Sequence, residues 1–177
     1  MAVAQAGPTA HLRSILILPF NVLVVIPAAL LWRSSAWRLA LPAEPRFWIA
    51  IACFAAGLAL MAVTIRLFVT RGEGTLAPWN PTQKLVVVGV YRHVRNPMIT
   101  GVLLNLLGET LLFGSRSIAL WCAIFFVANA IYLPLSEEPG LEARFGDAYR
   151  RYRAAVPRWI PRRTPWTDAG SAPPERR

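Results

Sequence analysis

Four long apolar runs divide the chain, with arginine, proline and glycine gathered between them. Residues 15–32 carry no charge but contain Pro19, Asn21 and Pro27, so a helix there is expected to kink and to need neighbours for its freed carbonyls. Residues 47–65 form a cleaner run, close to the ~20 apolar residues that cross a bilayer core as a helix. Ala52, Ala55, Ala56 and Gly57 in that run are small enough to allow close helix packing. The third and fourth runs, 98–113 and 117–135, are joined only by Gly114, Ser115 and Arg116. So short a link predicts an antiparallel helical hairpin whose two open ends lie on one side. From 139 to 154 the pattern changes: Leu141, Phe145, Ala148, Tyr149 and Tyr152 recur at helical spacing, with Arg144, Arg150, Arg151 and Arg153 elsewhere. This predicts an amphipathic helix with Pro139 in its first turn, folded over the hairpin or lying on the membrane surface.

These elements give an all-α membrane protein of about four transmembrane helices, including the tight hairpin, plus a C-terminal amphipathic cap helix. Along the chain, 1–12 read as an N-terminal tail, 13–71 as two transmembrane helices, 72–161 as the chemistry-bearing region and 162–177 as a disordered tail. Composition agrees, since 55% of residues are hydrophobic and only 16% charged, well below the quarter or so typical of soluble domains. The net charge of +10 sits beside apolar runs and in the last third, which suits anionic headgroups better than nucleic acid. Placing both termini on the cytoplasmic side of an inner or plasma membrane collects Arg66, Arg71, Lys84, Arg92 and Arg95 there, although Arg33, Arg38 and Arg46 then fall outside. Cys53 and Cys122 each lie within an apolar run and suggest neither a disulfide nor a metal site.

Two polar places stand at the doorstep of apolar runs. In GVYRHVRNPMITG, residues 89–101, Pro97 disfavours the α conformation at Asn96, so the polar run is expected to end in an extended turn before a helix begins at Met98. Such a turn gathers Arg95, Asn96 and the N–H groups of a helix start near the membrane face. The second place is Glu137-Glu138, immediately after the fourth run. Adjacent carboxylates there repel anionic lipids and are costly unless partnered. The hairpin returns them to the face that holds Arg95. Two blander readings compete: a headgroup anchor for the arginines and dipole complementation at a helix start for the acids.

Taken together, Gly89, Tyr91, Arg95-Asn96-Pro97, the hairpin, Glu137-Glu138, Phe145-Gly146, Tyr149, Tyr152 and Val156-Pro157 resemble the isoprenylcysteine carboxyl methyltransferase and phospholipid methyltransferase group of integral membrane enzymes. The resemblance covers about residues 72 to 161. It implies an S-adenosyl-L-methionine-dependent methyltransferase that holds its cofactor between membrane helices and C-terminal cap, acting on a lipidic or membrane-associated small acceptor. Carried over residue by residue, it implies Tyr91, Asn96, Pro97, Met98, Ile99 and Glu137 or Glu138 at the cofactor; Arg95 and Gly101 join them as candidate cofactor residues, Arg95 and Glu138 are the expected catalytic residues, and no metal is expected. Gln83, Lys84, Leu85 and Val86 occupy the place of a further cofactor-contacting strip.

The chemistry of the residues is compatible with this. A guanidinium fork suits the cofactor's carboxylate, and a glutamate can accept from its ammonium or ribose hydroxyls. Methyl transfer needs mainly positioning, with a base only for a protonated nucleophile. His93 is the one titrating base near the turn, and a structural role for it is the stronger expectation. The resemblance departs in two places: Asn96 stands where prenylcysteine enzymes carry histidine, and Leu133 where they carry a substrate-binding arginine. The acceptor therefore stays open. Glu109, one turn after Asn105 inside the third run, is an intramembrane carboxylate and so a functional candidate. Trp79, Trp121, Trp159 and Trp166 read as interfacial or packing aromatics, and GEGTLAPWNP (72–81) as a turn-rich loop over the pocket. The rival from another class is a non-enzymatic membrane scaffold or small transporter subunit whose polar clusters only fix topology.

Overall fold

In a computed structural model of the protein, the described residues are 18–71, 85 and 87–167, and among them there is no strand. Five helices come in order: α1 (Leu18–Arg33), α2 (Pro45–Arg71), α3 (Pro97–Phe113), α4 (Arg116–Tyr132) and α5 (Glu138–Ala155). Pro45–Leu67 and the continuous helical stretch Arg116–Ala155 are long and apolar enough to cross a membrane, while Leu18–Arg33 and Pro97–Phe113 are shorter apolar helices. Four apolar helices and a polar cap helix thus form the all-α membrane architecture.

The expected kink in α1 takes the form of a π turn, Asn21–Val25. Ile26 N–H donates to Asn21 O instead of to Val22 O, and Pro27, the next residue, has no N–H to offer. Val22 O is therefore left without a donor in its own helix. Trp121 on α4 supplies one, through Nε1 at 3.1 Å, so a missing backbone bond ties α1 to the hairpin.

The α2–α3 crossing brings the two backbones close together. A Cβ added at Gly57 would lie 2.8 Å from Gly101 O, and one at Gly101 would lie 2.9 Å from Gly57 O. Gly108 meets Ala50 O and the Phe54 ring in the same way. Asn105, buried between these glycines, donates to Gly101 O at 2.8 Å and reaches Met61 Sδ at 3.5 Å. Ala50, Phe54, Gly57, Met61 and Thr64 thus form the inward stripe of α2, and of the four small residues singled out from sequence only Gly57 lies on it. Ala52, Ala55 and Ala56 face outward.

The hairpin is built as the three-residue link requires. Gly114 closes α3 in the left-handed conformation (φ 55°), and the Ser115 side chain caps α4 by accepting from Ile118 N–H. Ser115 is buried at 1% exposure, so Ser115→Ala is expected to destabilise the fold by about 1 kcal/mol, read as a lower thermal midpoint in detergent. Beside this tip, Arg38 N–H and Ala40 N–H donate to Phe113 O and Leu112 O at 2.9 and 2.7 Å, satisfying the last carbonyls of α3. Glu44 gathers Arg38 and Arg46 there at 2.9 and 2.6 Å.

Candidate functional site

At the opposite end of the hairpin, the polar turn is set by Pro97. Asn96 is non-helical (φ −122°, ψ 58°) and Pro97 opens α3, so the chain enters the helix with the proline where no donor is needed. Tyr91 lies in a short 3₁₀ turn, Gly89–Arg92, that Gly89 starts at φ 56°. On the other arm of the hairpin, α4 runs into a second π turn, Leu133–Glu137, around Pro134. One extra residue in a turn rotates the rest of the helix by about 100°. Glu138 consequently points inward at 6% exposure, while Glu137 lies on the open side.

Arg95 and Glu138, 43 residues apart, meet there: Arg95 Nη1 donates to Glu138 Oε1 at 2.8 Å, with side-chain exposures of 11% and 8%. The same carboxylate oxygen also accepts from Arg158 Nε at 2.8 Å. Tyr149 of α5 lies against the Arg95 guanidinium, and the Tyr152 hydroxyl donates to Tyr91 O at 2.8 Å. Burial, with Tyr152 and Glu137 nearby, holds the Tyr91 phenol well above its ordinary pKa. It stays neutral across the physiological range. Arg95 Nε is buried with no acceptor, and the side chains of Asn96 and Glu137 make no hydrogen bond among the described residues.

The cap is fastened by backbone bonds. Arg95 N–H donates to Pro157 O, Arg162 N–H to His93 O and Trp166 N–H to Arg92 O, each at 2.9 Å. Arg92 Nε donates to Trp166 O at 2.6 Å. His93 Nδ1 lies 2.8 Å from Arg162 O; a carbonyl only accepts, so Nδ1 carries the proton and His93 serves as a clamp. Trp166 stacks near Tyr152, ring centres 5.6 Å apart, over the cluster of Tyr149, Tyr152 and Val156. The clamp takes in the described residues up to Trp166, within the stretch 162–177 expected as a tail; residues 168–177 lie outside the described ones.

Of the residues selected from sequence, Tyr91, Arg95, Asn96, Pro97, Glu137 and Glu138 lie at this junction, and Met98 and Ile99 continue from it. Met98 also packs on the core of Met61, Val102 and Leu106. Gly101 does not face the junction: it is buried against Gly57 and Met61, and that crossing accounts for its lack of a side chain. Glu109 is buried within α3 with Oε2 unpaired, towards the far end of the hairpin. Leu85 packs against the cap cluster, whereas Gln83, Lys84, Val86, Trp79 and the 72–81 loop lie outside the described residues. Among the described residues no group of acids, histidines and cysteines could hold a metal. Sequence reasoning missed Arg158, the contact of Tyr149 with Arg95, and the clamp. The signal for Arg158 was the acid pair itself, since one arginine leaves one of two adjacent carboxylates uncompensated, although Arg158 pairs with the same Glu138 oxygen as Arg95.

A helical membrane protein with a charged, capped junction at the open end of a helix hairpin is the class that fold and site define. The phospholipid methyltransferase family matches residues 45–148, and the chain belongs to that family. It is 35% identical over 88 residues to the protein-S-isoprenylcysteine O-methyltransferase of Schizosaccharomyces pombe, a match covering 46% of this chain and 35% of that one. It is 40% identical over 63 residues to an uncharacterized protein of Haemophilus influenzae, covering 36% of this chain and all of that one. The chain thus spans about a third of the S. pombe protein's length. No solved structure matches.

Proposed function

We propose that this protein is an S-adenosyl-L-methionine-dependent methyltransferase of the inner or plasma membrane, with both termini cytoplasmic, acting on a lipidic or membrane-associated small acceptor. The observation that carries this reading is the meeting of Arg95 with Glu138 at the base of the hairpin, in a chain of the phospholipid methyltransferase family. The unsatisfied groups fit the cofactor. Arg95 Nε is a buried donor without an acceptor, and Asn96 and Glu137 are polar side chains without partners among the described residues. When bound, the cofactor supplies an electrophilic methyl group on a sulfonium centre.

The chain's own residues then divide the work. Arg95 Nε–H donates to a carboxylate, and Glu137 accepts from an ammonium or from ribose hydroxyls. Asn96 offers both a donor and an acceptor, and the neutral Tyr91 forms the wall behind it. Glu138 is occupied by two guanidinium groups and acts as a positioning residue that holds the Arg95 fork. Pro97, Met98 and Ile99 bring the start of α3 to the same place. Catalysis on this account is alignment of donor and acceptor, with the cap excluding water.

The test is transfer of label from tritiated S-adenosyl-L-methionine into the lipid fraction of membranes containing the protein. Wild type is expected to label lipid, and Glu137→Gln to need about ten-fold more cofactor for half-maximal labelling, as loss of a charge-assisted bond implies. Labelling no greater than in membranes without the protein would favour the scaffold reading.

A further inference from the structure

Within the cap, α5 is not one rod. Gly146 leaves the helical region at φ 54° and ψ −131°, and the stretches 138–145 and 147–155 on either side of it fold back towards each other. Along a straight helix Glu142 and Arg153 would stand ~16 Å apart, out of reach of both side chains. Here Arg153 Nη1 lies 3.0 Å from Glu142 Oε2, and Arg150 Nη1 3.4 Å from Glu142 Oε1. Leu141 and Phe145 of the first stretch pack on the cluster of Tyr149, Tyr152 and Val156. A Cβ at Gly146 would meet nothing within 4 Å, so glycine is required there by the backbone angle and not by space.

The second stretch is a strap over the candidate site. One tether is Gly146; the other is Val156, extended at φ −110° and ψ 122°, after which Pro157 O is fixed by Arg95 N–H. Between these tethers the inner face of the strap carries Tyr149 against Arg95 and Tyr152 onto Tyr91 O. With the strap down, Tyr91 is 8% exposed and the Arg95 side chain 11%, and a ligand of nucleoside size reaches neither until the strap lifts. Its outer face is held across the break by Glu142, through ion pairs whose arginines are 54% and 42% exposed. Exposed pairs of this kind form and break at little cost. A further pair, Arg150 Nε to Asp147 Oδ1 at 3.0 Å, lies wholly on the strap and spans no joint.

Resting on the methyltransferase reading above, we propose that 147–155 is the gate of the cofactor site, hinged at Gly146 and Val156 and latched by Glu142 to Arg150 and Arg153. Lifting the strap breaks the two exposed pairs and the Tyr152 bond, and leaves the clamp at 157–166 and the contacts of Glu138 in place. The cofactor enters beneath it, and closure returns the tyrosines to Arg95 and Tyr91 O. The latch acts alike on the empty and the filled site, so it sets how fast the cofactor enters and leaves and not how tightly it is held.

Thiol accessibility of the full chain carrying Val156→Cys, purified in detergent, tests the gate without the cofactor. Val156 is 1% exposed within the tyrosine cluster, so N-ethylmaleimide modification at position 156, read by peptide mass spectrometry, follows the open fraction. Adding Glu142→Gln should speed modification about five-fold, the scale of two exposed ion pairs. Gly146→Ala, which strains the folded-back form, should speed it by at least as much. Asp147→Asn, which removes only the pair within the strap, should leave the rate unchanged. In the chain without the thiol substitution, surface plasmon resonance with S-adenosylhomocysteine should show association and dissociation both about five-fold faster in Glu142→Gln, with Kd within about two-fold of wild type. Unchanged modification in Glu142→Gln or in Gly146→Ala, an equal gain in Asp147→Asn, or a Kd weakened through dissociation alone would overturn the proposal. Latch-dependent modification in a protein that binds no S-adenosylhomocysteine would instead overturn the methyltransferase reading and leave the moving strap standing.

Discussion

Glu138→Ala is expected to lower the stability of the protein by roughly 3 to 5 kcal/mol, the cost of leaving buried partner charges uncompensated. Glu138 is almost wholly buried and is the shared acceptor of Arg95 and Arg158. Its loss leaves two guanidinium groups facing each other with no carboxylate between them. It also releases both ends of the cap, because Arg95 belongs to the turn and Arg158 to the segment after α5. Thermal unfolding in detergent, monitored by tryptophan fluorescence, should show a large drop in midpoint. Glu137→Ala, at an exposed acid without a partner among the described residues, should move it little. Equal midpoints for the two variants would contradict the assignment of Glu138 as the electrostatic centre.

The second large effect is steric. Gly101→Leu places a side chain where even a Cβ would lie 2.8 Å from Met61 Cγ and 2.9 Å from Gly57 O. Met61 can move aside; the Gly57 carbonyl belongs to the backbone of α2 and cannot move without the helix. Separating α2 from α3 would also break the Asn105 contact with Met61. The expected cost is about 3 kcal/mol or more, at the upper end of overpacking. Gly140→Leu offers the contrast, since nothing lies within 4 Å of a Cβ there, and its midpoint should stay near wild type. A Gly101→Leu protein as stable as wild type would show that the two helices do not cross at this point.

How much of the fold and site was legible in the sequence depends on the range of each interaction. The hairpin could be read because Gly114-Ser115-Arg116 leaves no other path between two apolar runs. The turn at Asn96 could be read because proline constrains its own neighbour. The π turns could not: inserting one residue into a helix barely changes an apolar pattern, yet the second one decides which of two adjacent glutamates is buried. The break inside α5 at Gly146, φ 54° and ψ −131°, was hidden in the same way by a continuous amphipathic spacing. The clamp between 92–95 and 157–166 is made largely of backbone bonds across more than sixty residues, and backbone bonds leave no signature in side-chain chemistry. Trp121, read as a packing aromatic, does pack, and its indole N–H has the further task of satisfying Val22 O.

On the proposed function, the turn at 91–97 and the acid pair at 137–138 form one cofactor site. The most direct test is isothermal titration of S-adenosylhomocysteine into the detergent-purified protein and into Arg95→Lys, a substitution that keeps the charge but removes the planar fork and its Nε donor. Saturable binding to wild type and about ten-fold weaker binding to Arg95→Lys are expected. Equal affinity for both, or no binding by wild-type protein shown to be folded, would contradict it.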